Sequence, residues 1–352
     1  MPTWNDLLNE VLAVDAARRS EWLGTNLHSQ LDEIGKLRGD RNAILMASGF
    51  LNKLDVPAAM ISITSEDING LMAMIHGMDC SKGLTLILHT PGGSLDATQT
   101  IVGYLWSKFT DIEVIVPTYA MSAGTMISLA ANRIVMGRQS QLGPIDPQMQ
   151  VDGQSRSARA IVEQFKKAKL DIVGDPSQGI PGDVAMASVW APVLSTIGPS
   201  LYQESQNALD YSEKMVAGWL AQRMKAGEPD PAGAGAAIAH HFNDASLHLS
   251  HGRRIDRDEA RGQGVIIEDL EDNQALQEAV LTTYHLATIT LDNSPIVKLL
   301  GSTTGADWLK MWPVQNLTAE QPGPAKKPLT RAANPANLDR NPPRPRKGGK
   351  RR

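Results

Sequence analysis

The chain has a single cysteine, Cys80, among 352 residues. That excludes an intrachain disulfide and suits a reducing compartment. Long apolar runs are also missing: no stretch reaches the roughly 20 uninterrupted apolar residues that cross a bilayer, so no membrane span is expected. The first residues, MPTWNDLLNEVLAVDAARRSEW, intersperse acids and bases among apolar positions. They lack the basic start and continuous apolar core of a secretory signal, and the expected location is cytoplasmic. His240, His241, His248 and His251 come without carboxylates or thiols at recognised ligand spacing, so no metal and no cofactor is expected.

An apolar fraction of 42% can supply a sizeable core, and the length suits one large domain with helical additions or two domains. Net charge is −4, unevenly spread. Residues 322–352 are rich in Pro, Lys and Arg with almost nothing to bury, which predicts a disordered basic tail able to contact an acidic partner. Residues 1–37 have helical apolar spacing with a break near Gly24. Residues 38–270 alternate strand-like and helical stretches, the signature of an α/β fold with a parallel sheet and peripheral helices. Residues 271–321 are expected to form a C-terminal helical segment.

The stretch Leu84 to Thr125 organises the rest. Two apolar runs, Leu84 to Leu88 and Ile112 to Val116, each empty into a turn of small residues, with helical spacing from Leu95 to Phe109 between them. A right-handed βαβ crossover puts both turns at the carboxyl edge of a parallel sheet, where open α/β sheets bind ligands. The first turn is His89-Thr90-Pro91-Gly92-Gly93, and its glycines let backbone N–H groups approach a carbonyl oxygen. The second, Tyr119 to Thr125, holds Ser122 at the mouth of a helix, where a hydroxyl nucleophile is exposed and the helix start favours an oxyanion.

The TPGG turn, the later Ser-Ala-Gly turn and Leu142-Gly143-Pro144-Ile145-Asp146-Pro147-Gln148 together resemble the serine dehydrogenase proteinase family. That family is a branch of the Clp protease and crotonase superfamily, similar to signal peptide peptidase A. Ser250-His251-Gly252-Arg253-Arg254-Ile255-Asp256 and Glu259 to Val265 extend the likeness, which runs from about Ile34 to about Ile267. It implies a Clp/crotonase-like ββα superhelix over 38–270 and a homo-oligomeric serine endopeptidase without a metal. Ser122 would be the nucleophile, Gly92, Gly93 and Ala123 the oxyanion hole, and Pro91 part of the substrate groove, with His89 either lining that groove or serving as a structural hydrogen-bonding residue. An extended peptide or protein segment would be the substrate. No G-x-x-x-x-G-K-[ST] loop is present, so unfolding of a protein substrate would need a partner.

The general base is open at this stage. The stretch where Clp subunits carry their His, Leu142 to Pro147, has none, and its Asp146 reads as a loop-shaping residue between two prolines. Signal peptide peptidase A enzymes use a Lys. Ser155 to Val173 reads as an amphipathic helix, and at 100° per residue Lys169 falls about 80° from Ile161, nearer the apolar face than Lys166 or Lys167. A Lys held among apolar groups loses charge easily and can serve as a base, which makes Lys169 the leading candidate in a Ser-Lys dyad. Lys166, Lys167, His248 and His251 are the alternatives. Two other functions fit the same fold: a crotonase-like acyl-CoA enzyme, and a catalytically silent scaffold or peptide-binding module.

Overall fold

Apolar residues alternate between two sides of each central strand, and this alternation builds the molecule. In the computed structural model, which describes residues 2–313 except 152 and 196–199, seven strands form one sheet. These are β1 (Asn42–Ser48), β2 (Leu84–His89), β3 (Ile112–Val116), β4 (Arg133–Met136), β5 (Ile267–Asp269), β6 (Ile296–Ser302) and β7 (Asp307–Met311). Their spatial order is β5-β4-β3-β2-β1-β6-β7. Strands β5 to β1 run parallel, and β6 and β7 add on antiparallel.

On one face Ile44, Leu86, Leu88, Val114 and Ile134 meet the helices Asp67–Ile75, Leu95–Lys108, Ala123–Leu129 and Leu201–Gln222. On the other, Leu45, Ile87, Ile115 and Val135 meet Trp4–Ala13, Arg19–Leu37 and Gln274–Asp292. Strands buried on both faces read as continuous apolar runs, and a helix layer on each side is what such strands require.

The expected segmentation changes in two ways. The helices of residues 1–37 are part of the main layer, their Leu27, Leu31 and Ile34 packed against the sheet, because together with Gln274–Asp292 they dry the second face. Residues 271–321 are not purely helical: after Gln274–Asp292 the chain returns as β6 and β7 and completes the sheet, with β6 buried throughout. The tail expected at 322–352 lies outside the described residues. No described helix is long and apolar enough to cross a membrane.

A charged seam locks the helical cover down. Arg38 donates to both oxygens of Glu113, at 2.8 and 2.7 Å, and Thr85 Oγ1 donates to Glu113 Oε1 at 2.7 Å. Burial alone would raise the Glu113 pKa, but these hydrogen bonds and the charges of Arg38 and Arg41 hold it below its ordinary value.

Candidate active site

The parallel crossover brings the turns after β2 and β3 side by side, and the backbone zips them together. Thr90 N–H donates to Tyr119 O at 3.0 Å, and Met121 N–H donates to Thr90 O at 3.1 Å. Gly92 then turns with φ +98°, and a Cβ there would stand 2.7 Å from both Met121 O and the Ser122 Cβ. Only glycine permits that approach. Gly93 is equally confined, since a Cβ would lie 2.2 Å from Ile63 O. Ile63 clamps the turn by donating to Gly92 O at 2.8 Å and accepting from Ser94 N–H at 2.9 Å.

Ser122 has φ 50° and ψ −113° at the start of the Ala123–Leu129 helix. A non-glycine residue with positive φ is strained, and such strain persists where the surroundings dictate the geometry. Here the Gly92 turn on one side and Thr125 on the other dictate it: Thr125 Oγ1 donates to Ala120 O at 2.7 Å and accepts from Gly143 N–H at 2.9 Å. Gly92 N–H is occupied by Thr90 Oγ1 at 3.1 Å. The N–H groups of Gly93 and Ala123 have no acceptor among the described residues. Ser122, Gly93, Ala123 and Pro91 line one cleft of about 410 Å³.

His251 lines the same cleft. Its loop reaches the site because Leu142 and Ile255 exchange two backbone hydrogen bonds of 2.9 Å, which lays the Asp146 loop beside the His251 loop. His251 Nδ1 lies 2.7 Å from Asp146 Oδ1. Asp146 is 2% exposed and also accepts from Gln148 Nε2 at 2.9 Å and Ser157 Oγ at 3.1 Å. A carboxylate can only accept, so Nδ1 carries a hydrogen, and in the neutral ring Nε2 is the nitrogen with the lone pair.

The other predicted residues lie elsewhere. Lys169 is exposed and absent from the cleft lining. Burial along its helix, Ala158–Val173, stops at Ala168, and the last turn emerges into solvent with even Val173 63% exposed. The helical wheel gave Lys169 its direction but not the length of the covered stripe. Lys166 and Lys167 are exposed and paired with Glu163 and Asp171. His89 is 2% exposed among the rings of Phe50, Tyr119 and Tyr284, with Thr118 Oγ1 3.0 Å from its Nδ1. Burial lowers its pKa to about 4, so it is a neutral structural residue and not part of the groove. His248 is buried with both ring nitrogens engaged. Among the described residues no group of three or more His, Cys, Asp or Glu side chains could hold a metal ion. The reading missed Asp146 as a partner of the histidine. The available signal was its rigid placement between Pro144 and Pro147, in a stretch the likeness had already marked.

A mostly parallel sheet covered on both faces, with a strained serine and free amides at its carboxyl edge, defines a Clp-like α/β protein. Residues 27–190 match the model of the ClpP-like SDH-type serine proteinases. Two uncharacterized proteins of Methanocaldococcus jannaschii are similar. MJ0137 is 44% identical over 127 residues, which is 36% of this chain and 43% of that protein. MJ1495 is 34% identical over 138 residues, 39% of this chain and 46% of that protein. The chain thus spans less than half the length of either relative. Among solved structures, a mutant of the 1510-N membrane-bound stomatin-specific protease is similar with a TM-score of 0.34 and 20% identity, covering 59% of this chain and 75% of that one.

Proposed function

We propose that this protein is a serine endopeptidase acting through Ser122, His251 and Asp146. Ser122 Oγ attacks the carbonyl carbon of a peptide bond while its proton passes to His251 Nε2. Asp146 fixes the tautomer that can accept this proton and stabilises the imidazolium that results. The N–H groups of Gly93 and Ala123 bind the developing oxyanion. His251 then protonates the leaving amine as the C–N bond breaks, leaving an acyl-enzyme on Ser122. Water, deprotonated by the same His251, attacks the ester, releases the acid and restores the Ser122 hydroxyl. The substrate is an extended peptide segment laid along the Gly92–Ser94 turn, whose other edge Ile63 already occupies.

One observation carries this reading: Ser122 and a histidine braced at 2.7 Å by a buried carboxylate share a cleft. The sequence order argued against a Clp-like histidine, but roles in such a site follow geometry and not position in the chain. The test is reaction with a fluorophosphonate, read at Ser122 by peptide mass. His251→Ala should lose labelling and casein hydrolysis with the fold intact, while Lys169→Ala keeps both. The reverse pattern would restore the Ser-Lys dyad. Absence of labelling in the folded wild-type protein would favour a silent peptide-binding module.

A further inference from the structure

The loop that presents His251 begins at His248, where the short helix Ala245–His248 ends, and runs to the Leu142–Ile255 pairing. Leu249 has φ 61° and is 88% exposed, so the loop leaves its helix through a strained and poorly covered residue. Little apolar packing holds it. Instead, side chains join its two ends. Arg253 Nη1 donates to His248 Nδ1 at 2.9 Å, and His248 Nε2 donates to His241 O at 2.7 Å. Arg253 is itself fixed by Glu259, through bonds of 2.7 and 3.0 Å.

This arrangement sets the protonation state of His248 by geometry. Nε2 faces a carbonyl and must carry a hydrogen, whereas Nδ1 faces a guanidinium and must not. A second proton on the ring would put two N–H donors against each other with His248 3% exposed, and the contact between residues 248 and 253 would open. Arg253 and His241 touch the ring, and Glu259 is bonded to both of them. His241 has its Nε2 3.3 Å from Glu259 Oε1. Burial lowers the His241 pKa against the smaller opposing effect of Glu259, so it too is neutral.

We propose that His248 and Arg253 are positioning residues that hold His251 against Asp146. The proposal rests on His251 being the base.

Inactivation by a fluorophosphonate, resolved into a limiting rate and a saturation constant, reads this without a natural substrate. His248→Gln, which keeps one donor and one acceptor, should retain most of the wild-type limiting rate, whereas His248→Leu, which keeps neither, should lose it. Arg253→Gln should lower the limiting inactivation rate by roughly a hundredfold, the scale of about 1 Å misplacement, with the saturation constant unchanged. An undiminished limiting rate in folded His248→Leu, or in folded Arg253→Gln, overturns the proposal. If Arg253→Gln does not fold, the comparison of His248→Leu with His248→Gln decides alone. His251→Ala separates the two levels: retention of the wild-type rate removes the base and this inference with it. Its loss, with either overturning result above, removes only the positioning role.

Discussion

Replacing Asp146 by Asn is the sharpest perturbation of the site, because it changes a charge and almost nothing in shape. In the native arrangement one carboxylate oxygen faces His251 and the other takes Gln148 and Ser157. An Asn has two ways to fit. With its oxygen toward His251, the tautomer survives, but the imidazolium formed during attack loses its counter-charge. With its amide nitrogen toward His251, Nδ1 must accept, Nε2 carries the hydrogen, and Ser122 has no base. For the first case, two unit charges about 4 Å apart at an effective dielectric of about 20 interact by about 4 kcal/mol. That dielectric suits a pair of which Asp146 is buried and His251 is 29% exposed. Since about 1.4 kcal/mol is tenfold in rate, Asp146→Asn should lower turnover by about 10³, and further where the second orientation is populated. Casein hydrolysis and fluorophosphonate inactivation should fall together, with the circular dichroism spectrum unchanged. A folded Asp146→Asn protein within tenfold of wild type would refute the assignment of Asp146 and leave His251 without an orienting partner.

Three further outcomes follow from the same geometry. Gly92→Ala should remove labelling of Ser122, because the new methyl would occupy the space of the Ser122 Cβ and demand a left-handed backbone costing about 1–2 kcal/mol; an active, labelled protein would show that the two turns can separate. The buried Lys298–Asp67 pair, with both contacts at 2.8 Å, should make Lys298→Met cost about 3–5 kcal/mol in urea unfolding, since the Asp67 carboxylate is left buried and unpaired. The double change Lys298→Met with Asp67→Leu should cost less than that single one. His89 gives a pH signature: its folded pKa of about 4 lies below the ordinary 6.5, so the unfolded chain binds the proton more tightly. The stability it contributes is complete above pH 6.5 and is lost as pH falls through about 4, amounting to about 3 kcal/mol. His89→Leu should flatten that part of the stability-pH curve in thermal melts.

The strands of the central unit were legible because a strand buried on both faces leaves a continuous apolar run, as Leu84 to Leu88 and Ile112 to Val116 do. The convergence of Gly92 and Ser122 was legible because crossover handedness puts both turns on one edge. What escaped depends on long-range pairing. Residues 296–302 include Lys298 and Ser302, polar residues that disguise a buried strand until Asp67 is seen opposite the lysine. Lys169 looked suitable because a wheel projects direction without showing how far the neighbouring helix extends. Gly92 was expected among the oxyanion donors, and a local hydrogen bond to Thr90 Oγ1 occupies its N–H. His251 and Asp146 meet only through the Leu142–Ile255 bridge, and no spacing rule announces a contact between residues 105 positions apart.

That bridge also marks a division of labour along the chain. The segment that matches the family model ends at residue 190, so it includes the serine and the glycine turn but not the loop bearing His251. On the proposed assignment, a sequence matching only that part would keep the aimed serine without the group proposed to take its proton. Cleavage would then hang on a stretch outside the matched range.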